Sequence, residues 1–593
     1  MALDLLSTSG INSLINQYTV SEMNKRIGPL QDRKYKYSNL SSSYSTLSSS
    51  LGNLKSLLDS FKEVGSSSIF AAKSAVSSNT NFITASVSSS VVAGSYALRV
   101  NQLAKSDVLL SSDFSSSAAN ALTGSHSFTI KTGDGEGGEF TSTINAVFDG
   151  TETNKTALEK IRNAINADKA EVLSGSHDAS ETFTGTGSFV INLNGTETTI
   201  DYDYSNLTYG EVIDDLVAKI GSDVDGLSAE KVVNGNNVEL KLSVDNNDHY
   251  LTIDQSADTG GLLGAGNLNI NALKEKSSAG TVSASLFAPQ SNTSQISLTA
   301  KNTGLDYRIL DISDNSGSSA LEAFGLNLGQ SRPTFDQGTA PDTAGFVYAD
   351  TDPDTTLLNS IFEFNGLTIK RGSNVISDLV DGMTLTLNAA MEAEDATVDL
   401  AVSNDVDHIK GKINEFIEKF NSVYSFIKTN SSSSNGVRGV FLGDSNASSL
   451  LSSFRTLGYS VIEGIPDGNL NKLSEIGISF DPHTGLKVSN ATLLEQKLTG
   501  EVGQVESLFN SANGIANLIY DKIDPFLGID GYLSTTQSRY DSNIKYLNDK
   551  ITATQTRIDK SAEVMRGRYE QLQLQLAEFY STQSYFNQLT GGF

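Results

Sequence analysis

IKYLNDKITATQTRIDKSAEVMRGRYEQLQLQLAEFYSTQSYF, residues 544–586, places an apolar side chain at every seventh position. The row is Ile544, Ile551, Ile558, Met565, Leu572, Phe579 and Phe586, without a break. Such a repeat lays a narrow apolar seam along one helix face, the pattern of a coiled coil. The other end of the chain carries a matching seam. Leu30, Tyr37, Tyr44, Leu51 and Leu58 recur every seven residues, and a second row, Leu40, Leu47, Leu54 and Phe61, sits three positions later. Two such helices at opposite termini can pair only if the chain goes out and comes back. Everything between them is then an insertion on a helical stalk.

Lengths decide what pairs. At about 1.5 Å per residue, a helix over 29–64 spans about 54 Å and one over 534–589 about 84 Å. The overhang of the second must pack on the 405–428 helix, on the 11–27 segment, or on another subunit. The 11–27 segment reads as a short helix through Ile11, Leu14, Ile15 and Tyr18, interrupted by Gly28-Pro29. The 29–64 helix is rich in Ser and contains Gly52, so it is marginal alone. A third seam, Val406, Ile409, Ile413, Phe416, Phe420, Val423 and Ile427, ends at 431–436, which reads as a mobile loop. Further helices are expected within 445–462 and 491–520. The 29–64 and 405–428 seams are expected to pack within the chain, and part of the C-terminal seam between chains.

From about Phe82 the period changes to two. Tyr96, Leu98 and Val100 alternate with polar neighbours. Residues 105–120, rich in Ser and Ala, read as a linker. The middle of the chain is mainly β. Phe189, Ile191 and Leu193 lead into Asn194-Gly195, and Thr198, Ile200 and Tyr202 return; Phe362 and Phe364 lead into Asn365-Gly366, and Leu367 and Ile369 return. A weak repeat is visible: strands near 128–130 and 144–148 precede a helix over 156–165, and strands near 189–193 and 198–204 precede a helix over 209–220. The fold class is therefore α+β and multidomain: an antiparallel helical-bundle or coiled-coil leg built from both termini, with inserted, mainly-β head domains. The expected divisions are 1–104, leg helices and a first strand; 105–354, two β-rich head domains; 355–404, a β segment returning to the leg; and 405–593, the C-terminal helical leg.

Composition narrows the function. The chain has 593 residues, 42 Lys and Arg against 69 Asp and Glu, and no Cys or Trp. A net charge of −27 disfavours nucleic acid and anionic lipid as partners. Without Cys there are no disulfides, thiolate metal sites or Cys nucleophiles. Met1-Ala-Leu-Asp-Leu-Leu has neither a basic n-region nor a long apolar h-region, so a cleaved secretory signal is not expected, and no apolar stretch is long enough to span a membrane.

Catalytic motifs read as bland. Gly133-Asp-Gly135-Glu-Gly-Gly138 matches a dinucleotide loop, but Asp134, Glu136 and Glu139 repel phosphate and strand patterning continues beyond, so it reads as a hairpin loop. Asp350-Thr-Asp352-Pro-Asp354 opens like a calcium loop but has Thr355 and Ile361 where Gly and Glu belong, and reads as a solvated acidic loop. His126, His177, His249, His408 and His483 are scattered. No catalytic residue, cofactor or metal site is expected, and the chain does not read as an enzyme.

Several pieces, in order, resemble the bacterial flagellar filament cap proteins, the flagellar hook-associated protein 2 family. They are Gly10-Ile-Asn-Ser-Leu-Ile15; Pro29-Leu30 with the Ser-rich helix; Gly94-Ser-Tyr96-Ala-Leu98-Arg-Val100-Asn-Gln102-Leu103-Ala104; Phe364-Asn-Gly366-Leu-Thr-Ile369; Asn374-Val-Ile376-Ser-Asp378-Leu379 through Leu387; Phe420-Asn421-Ser-Val-Tyr424; and Ile476-Gly477-Ile478 with Gly485-Leu486-Lys-Val488. They cover about 1–104 and 355–593. The resemblance implies export through the flagellar type III route without a cleaved signal and a ring-shaped homo-oligomer at the extracellular filament tip. It also implies assistance to flagellin folding and insertion, contact with hook–filament junction proteins, and a cytoplasmic export chaperone bound within 534–593. The assembly residues would be the two seams. The alternatives are another axial flagellar protein, or a surface adhesin whose head domains bind host glycans.

Overall fold

A computed structural model describes residues 7–270, 273–337, 342–434 and 437–590. The hexapeptide Met1–Leu6 and the pair 435–436 lie outside the described residues. The chain divides into two compact units. One runs to Ser74, takes in Ser88–Ser90 and resumes at Ser403; the other holds Ala75–Val87 and Val91–Val402. Among the described residues no helix is long and apolar enough to cross a membrane.

The first unit is helical. Its helices, numbered within the unit, are α1 (Thr8–Arg26), α2 (Gly28–Lys62), α3 (Val406–Asn430), α4 (Ser445–Leu457), α5 (Ala491–Gly500), α6 (Val502–Asn510), α7 (Ile515–Leu527) and α8 (Tyr532–Thr590). Gly28-Pro29 hardly interrupts: Ile27 stays right-handed helical, and Pro29 falls in the first turn, where its missing N–H costs nothing. The 431–436 stretch is not simply a loop, since Ser433–Ser434 pairs with Val437–Arg438. The third seam is buried within the chain from Ile409 to Ile427 and meets Leu47–Phe61 of α2 in one core. Phe61 sits at its centre, 5.1 Å from Phe509, 5.8 Å from Phe416 and 5.9 Å from Phe70, ring to ring.

The second unit is β-rich and holds three apolar cores nested along the chain. The outermost packs a five-stranded sheet, in the order Lys73–Ser77, Val398–Asn404, Gly94–Gln102, Ser360–Phe364, Leu367–Arg371, on a three-stranded one, Ile83–Val87, Met383–Leu387, Val375–Val380. The middle core uses 106–170 and 282–346, and the innermost uses 170–270. The middle and innermost cores share one topology. In the middle core, strand Ser106–Leu110 precedes hairpin Thr123–Gly133/Glu139–Asp149, helix Asn154–Ala167, hairpin Val282–Phe287/Thr293–Thr303 and strand Ile309–Asp314. In the innermost, the same places are taken by Glu171–Leu173, Thr182–Leu193/Thr196–Thr208, Tyr209–Asp223, Leu227–Asn234/Asn237–Val244 and Leu251–Asp254. In both, the first strand pairs antiparallel with the second hairpin, and the last strand returns onto the first hairpin. Both helices open on a Thr capping box, Thr153 with Thr156 and Thr208 with Glu211. The β-β-α repeat is thus half of a longer one. The innermost copy interrupts the middle copy between its helix and second hairpin.

Residues 105–120 are not a linker. Leu109 is buried, and Asp107, fully buried, takes a two-point ion pair from Arg332 at 2.8 and 3.0 Å. A short strand that buries a single Leu and runs into a Ser-rich stretch looks like a linker, because its stabilising partner lies some 225 residues away.

Three asparagines explain much of the family-like sequence. The Asn365 side chain accepts from Ala97 N (2.9 Å) while its backbone N–H donates to Ala97 O (2.8 Å). Asn374 accepts from Ala104 N and donates to Ala104 O, at 2.7 and 3.0 Å. Asn421 does the same to Leu486, at 2.7 Å each way. Gly485, at φ +91°, has no room for a Cβ, which would lie 2.0 Å from the Asn421 amide oxygen. Each clamp satisfies a backbone donor and acceptor that strand pairing leaves over.

Two outcomes follow. Asn421→Ala should cost about 2 kcal/mol in chemical unfolding, since it strands two partly buried backbone groups; no measurable change would show that the clamp is not structural. Joining Glu171 to Lys274, which form an isolated antiparallel bridge, through two glycines should remove the innermost core and leave a cooperatively folding remainder. Loss of the cooperative transition would contradict nesting.

Candidate functional site

The two terminal seams meet in antiparallel register. Ser41 Oγ donates to Asp541 at 2.8 Å, and the Tyr44 ring stacks on Tyr540 at 5.7 Å. Farther along, Asn12 accepts from Arg566 at 2.6 Å, and Ile11 and Ile15 pack on Ala562, Met565 and Tyr569. The overhang of α8 beyond α2 is therefore covered first by α1, one of the three partners its length allowed.

A polar knot fixes the root of this pairing. The Tyr44 hydroxyl, on α2, and the Tyr532 hydroxyl, opening α8, both donate to the Asp444 carboxylate. Asp444 also caps α4, accepting from Asn446 N at 2.9 Å and Ala447 N at 3.1 Å. Burial raises the Asp444 pKa, but the two phenols and two amides outweigh it and hold the carboxyl below its usual range. Burial, then the hydrogen bond to Asp444, pushes the Tyr44 phenol far up, so it stays protonated and keeps donating.

Coverage differs along the seams. On α2, Tyr44, Leu47, Leu51, Leu54, Leu58 and Phe61 are buried, while Leu30, Tyr37 and Leu40 are half-buried. On α8, Ile558 is buried, Ile544, Ile551 and Met565 are half-buried, and Leu572, Phe579 and Phe586 are 42%, 62% and 61% exposed. Leu574, Tyr580 and Tyr585 join this bare end. Register explains it: α1 starts at Thr8, beside the 565–569 turn, so the last five turns of α8 run past it. The seven-residue row missed Leu533, Leu547 and Ala562, which are buried on α8. The row running through Leu547 continues as Thr554, Ser561 and Arg568, too polar to register as a seam.

The other sequence motifs do not form a site. The 133–138 loop is the turn of a hairpin, and Asp134 accepts from Glu136 N and Gly138 N, closing the loop on itself. Asp350 and Asp352 likewise accept from their own turn, and Asp354 pairs with Lys370 at 2.5 Å. His126 takes a backbone N–H from Ser319, and His177 stacks on Tyr209. Among the described residues no three His, Asp or Glu converge as a metal site.

Known families match the helical unit together with the outermost β core. The N-terminal model of flagellar hook-associated protein 2 matches residues 7–107, and the C-terminal model of the same family matches 358–579; together they cover more than half of the chain. The chain belongs to the flagellar hook-associated protein 2 family. Relatives include the B-type flagellar hook-associated protein 2 of Pseudomonas aeruginosa, 26% identical over 47% of this chain and 63% of its own. The lateral flagellar hook-associated protein 2 of Vibrio parahaemolyticus is 26% identical over 38% of this chain and 49% of its own. The chain thus spans less than two thirds of these relatives' lengths. Among solved structures, the D1-D2-D3 domains of the flagellar cap protein FliD from Escherichia coli align over 84% of this chain and 99% of theirs, at 17% identity and a TM-score of 0.47. Both family matches fall outside 108–357, where the middle and innermost cores lie.

Asp444→Ala should destabilise the helical unit by about 2 kcal/mol, through a lost cap and two stranded phenols. The pH dependence has a definite sign. A carboxylate whose folded pKa is depressed stabilises above its unfolded value of about 3.9 and loses that contribution as pH falls through the folded value. Thermal unfolding between about pH 5 and pH 2 should therefore fall less steeply in Asp444→Asn than in the parent. Parallel curves would remove Asp444 from the account.

Proposed function

We infer that this chain caps the growing tip of a bacterial flagellar filament. It does so as a ring of identical copies that helps exported flagellin fold and insert beneath it. The observation that carries this reading is the bare apolar end of α8 in a chain whose two terminal segments match a flagellar family. A single chain covers its first-half seam and leaves Leu572, Leu574, Phe579 and Tyr580 for other molecules. In the cytoplasm that surface would be held by an export chaperone, and at the filament tip by neighbouring copies, flagellin and hook–filament junction proteins. A Cys-free chain suits unfolded export to the extracellular tip. The paired termini would serve as the leg, and the segment 105–354 as head domains facing outward.

The role is mechanical rather than chemical. A cap must hold on and yet step as subunits arrive. Many modest contacts along a partly covered helix suit that better than one large dry interface.

Electron microscopy of a deletion strain tests this. Filament loss with flagellin monomers secreted into the medium, restored by the full chain but not by a chain truncated after Glu570, is the expected result. Normal filaments in the deletion strain would refute the reading. In the isolated chain, hydrogen exchange should be slow over 44–61 and fast over 572–590. Equal protection of both would show that the bare end is not a free surface.

A further inference from the structure

The charge of the chain is unevenly spread. Residues 7–62 carry seven Lys and Arg against three Asp and Glu, and residues 532–590 carry seven against six. The whole chain carries 42 against 69, so everything else holds 28 cations against 60 carboxylates. The paired terminal helices are the basic part of an acidic protein.

Their cations concentrate where α1 runs beside α8. A groove of about 590 Å³ there has Tyr18, Ile558, Val564 and Met565 on its walls and Arg26, Arg557, Lys560 and Arg568 around it. Glu22 is the one carboxylate lining the groove, and it is taken by Arg26. Asp559 and Glu563 lie on α8 but do not line it. Arg557, Lys560 and Arg568 are exposed and form no ion pair among the described residues. Positions 557, 560, 564 and 568 share one helix face, so the three cations form a stripe with Val564 between them.

Uncompensated cations around an apolar groove fit an acidic surface with an apolar component. We propose that this groove receives the acidic surface of a second copy of the chain. The proposal rests on the ring reading and names the contact that closes the ring. A second copy is the fitting occupant because it brings 60 carboxylates against 28 cations outside its own terminal helices, at matched stoichiometry. A basic patch meeting a different, acidic patch is also a heterologous contact, the kind that builds rings rather than twofold dimers. The stripe steers and registers the contact, and the groove walls supply its apolar part.

The test is the association state of the full chain by mass photometry, at about 50 mM and about 500 mM salt, where screening lengths differ severalfold. Parent assembly should weaken tenfold or more at the higher salt. The variant Arg557→Glu/Lys560→Glu/Arg568→Glu, with helicity unchanged by circular dichroism, should not assemble alone. It keeps its acidic surface, so it should still join one side of a parent copy and truncate parent rings when mixed. Arg557→Lys/Arg568→Lys should assemble like the parent. Assembly of the charge-reversed variant at parent strength, or assembly insensitive to salt, overturns the proposal and leaves the ring reading intact. So does a variant that fails to truncate parent rings, because the contact is then not heterologous. A parent chain that stays monomeric at both salts overturns both readings. If the parent stays monomeric and its groove instead binds phosphatidylserine vesicles, the partner is a membrane.

Discussion

Everything in the helical unit depends on a mismatch of lengths between two antiparallel partners. The 59-residue α8 runs against α2 and then α1, which meet across Ile27 with almost no break. Where a partner is present, the seam is half-buried or buried, and it is anchored by the knot of Tyr44, Asp444 and Tyr532. Where α1 gives out, the same helix continues with the same apolar repeat, and Leu572, Leu574 and Phe579 are exposed there. A helix this polar on its remaining faces has little reason to keep Leu572 and Phe579 in register unless something covers them. The contrast between the covered stretch and the exposed end of one helix is the physical basis for reading the chain as a part of an assembly.

The coverage is also graded in kind. The root of the pairing joins a large core containing Phe61, Phe416 and Phe509. The middle is a thin contact of Ile11 and Ile15 on Ala562 and Met565. At the far end Leu572, Leu574, Phe579 and Tyr580 are exposed. Local opening should follow the same order, cheapest at the far end and most costly at the root. That ordering would leave the root folded while the far end opens.

Much of this was legible in the sequence, for definite reasons. Seven-residue rows report helix faces whatever covers them, so the terminal helices, their lengths and the overhang could be read directly. Asn-Gly turns at 194–195 and 365–366 gave two hairpins, because the positive φ they supply is a local demand: Asn194 and Asn365 lie at φ 56° and 48°. The failures were nonlocal. Strand Ser106–Leu110 hid beside the Ser-rich stretch that follows it, since Asp107 is buried by an arginine far along the chain. The repeat in the β unit was half visible, because one copy is inserted into the other. Asn374 and Asn421 stood out only by resemblance; no local pattern says that an asparagine will clamp a distant backbone. Leu547 escaped because its row turns polar, and Ala562 because Asn548 and Gln555 precede it in its own row.

The central claim is that the end of α8 is bare in the single chain and covered in the assembly. The absence of Cys from the chain makes a direct test simple. A single cysteine at Leu574, 67% exposed, reports on that surface alone. Its rate of modification by a maleimide should be near that of a free thiol in the isolated chain and slower by about a hundredfold or more once the chain is assembled at filament ends, as expected for a site that reacts only on local opening. Equal rates in the two states, or a thiol already protected in the isolated chain, would contradict the account.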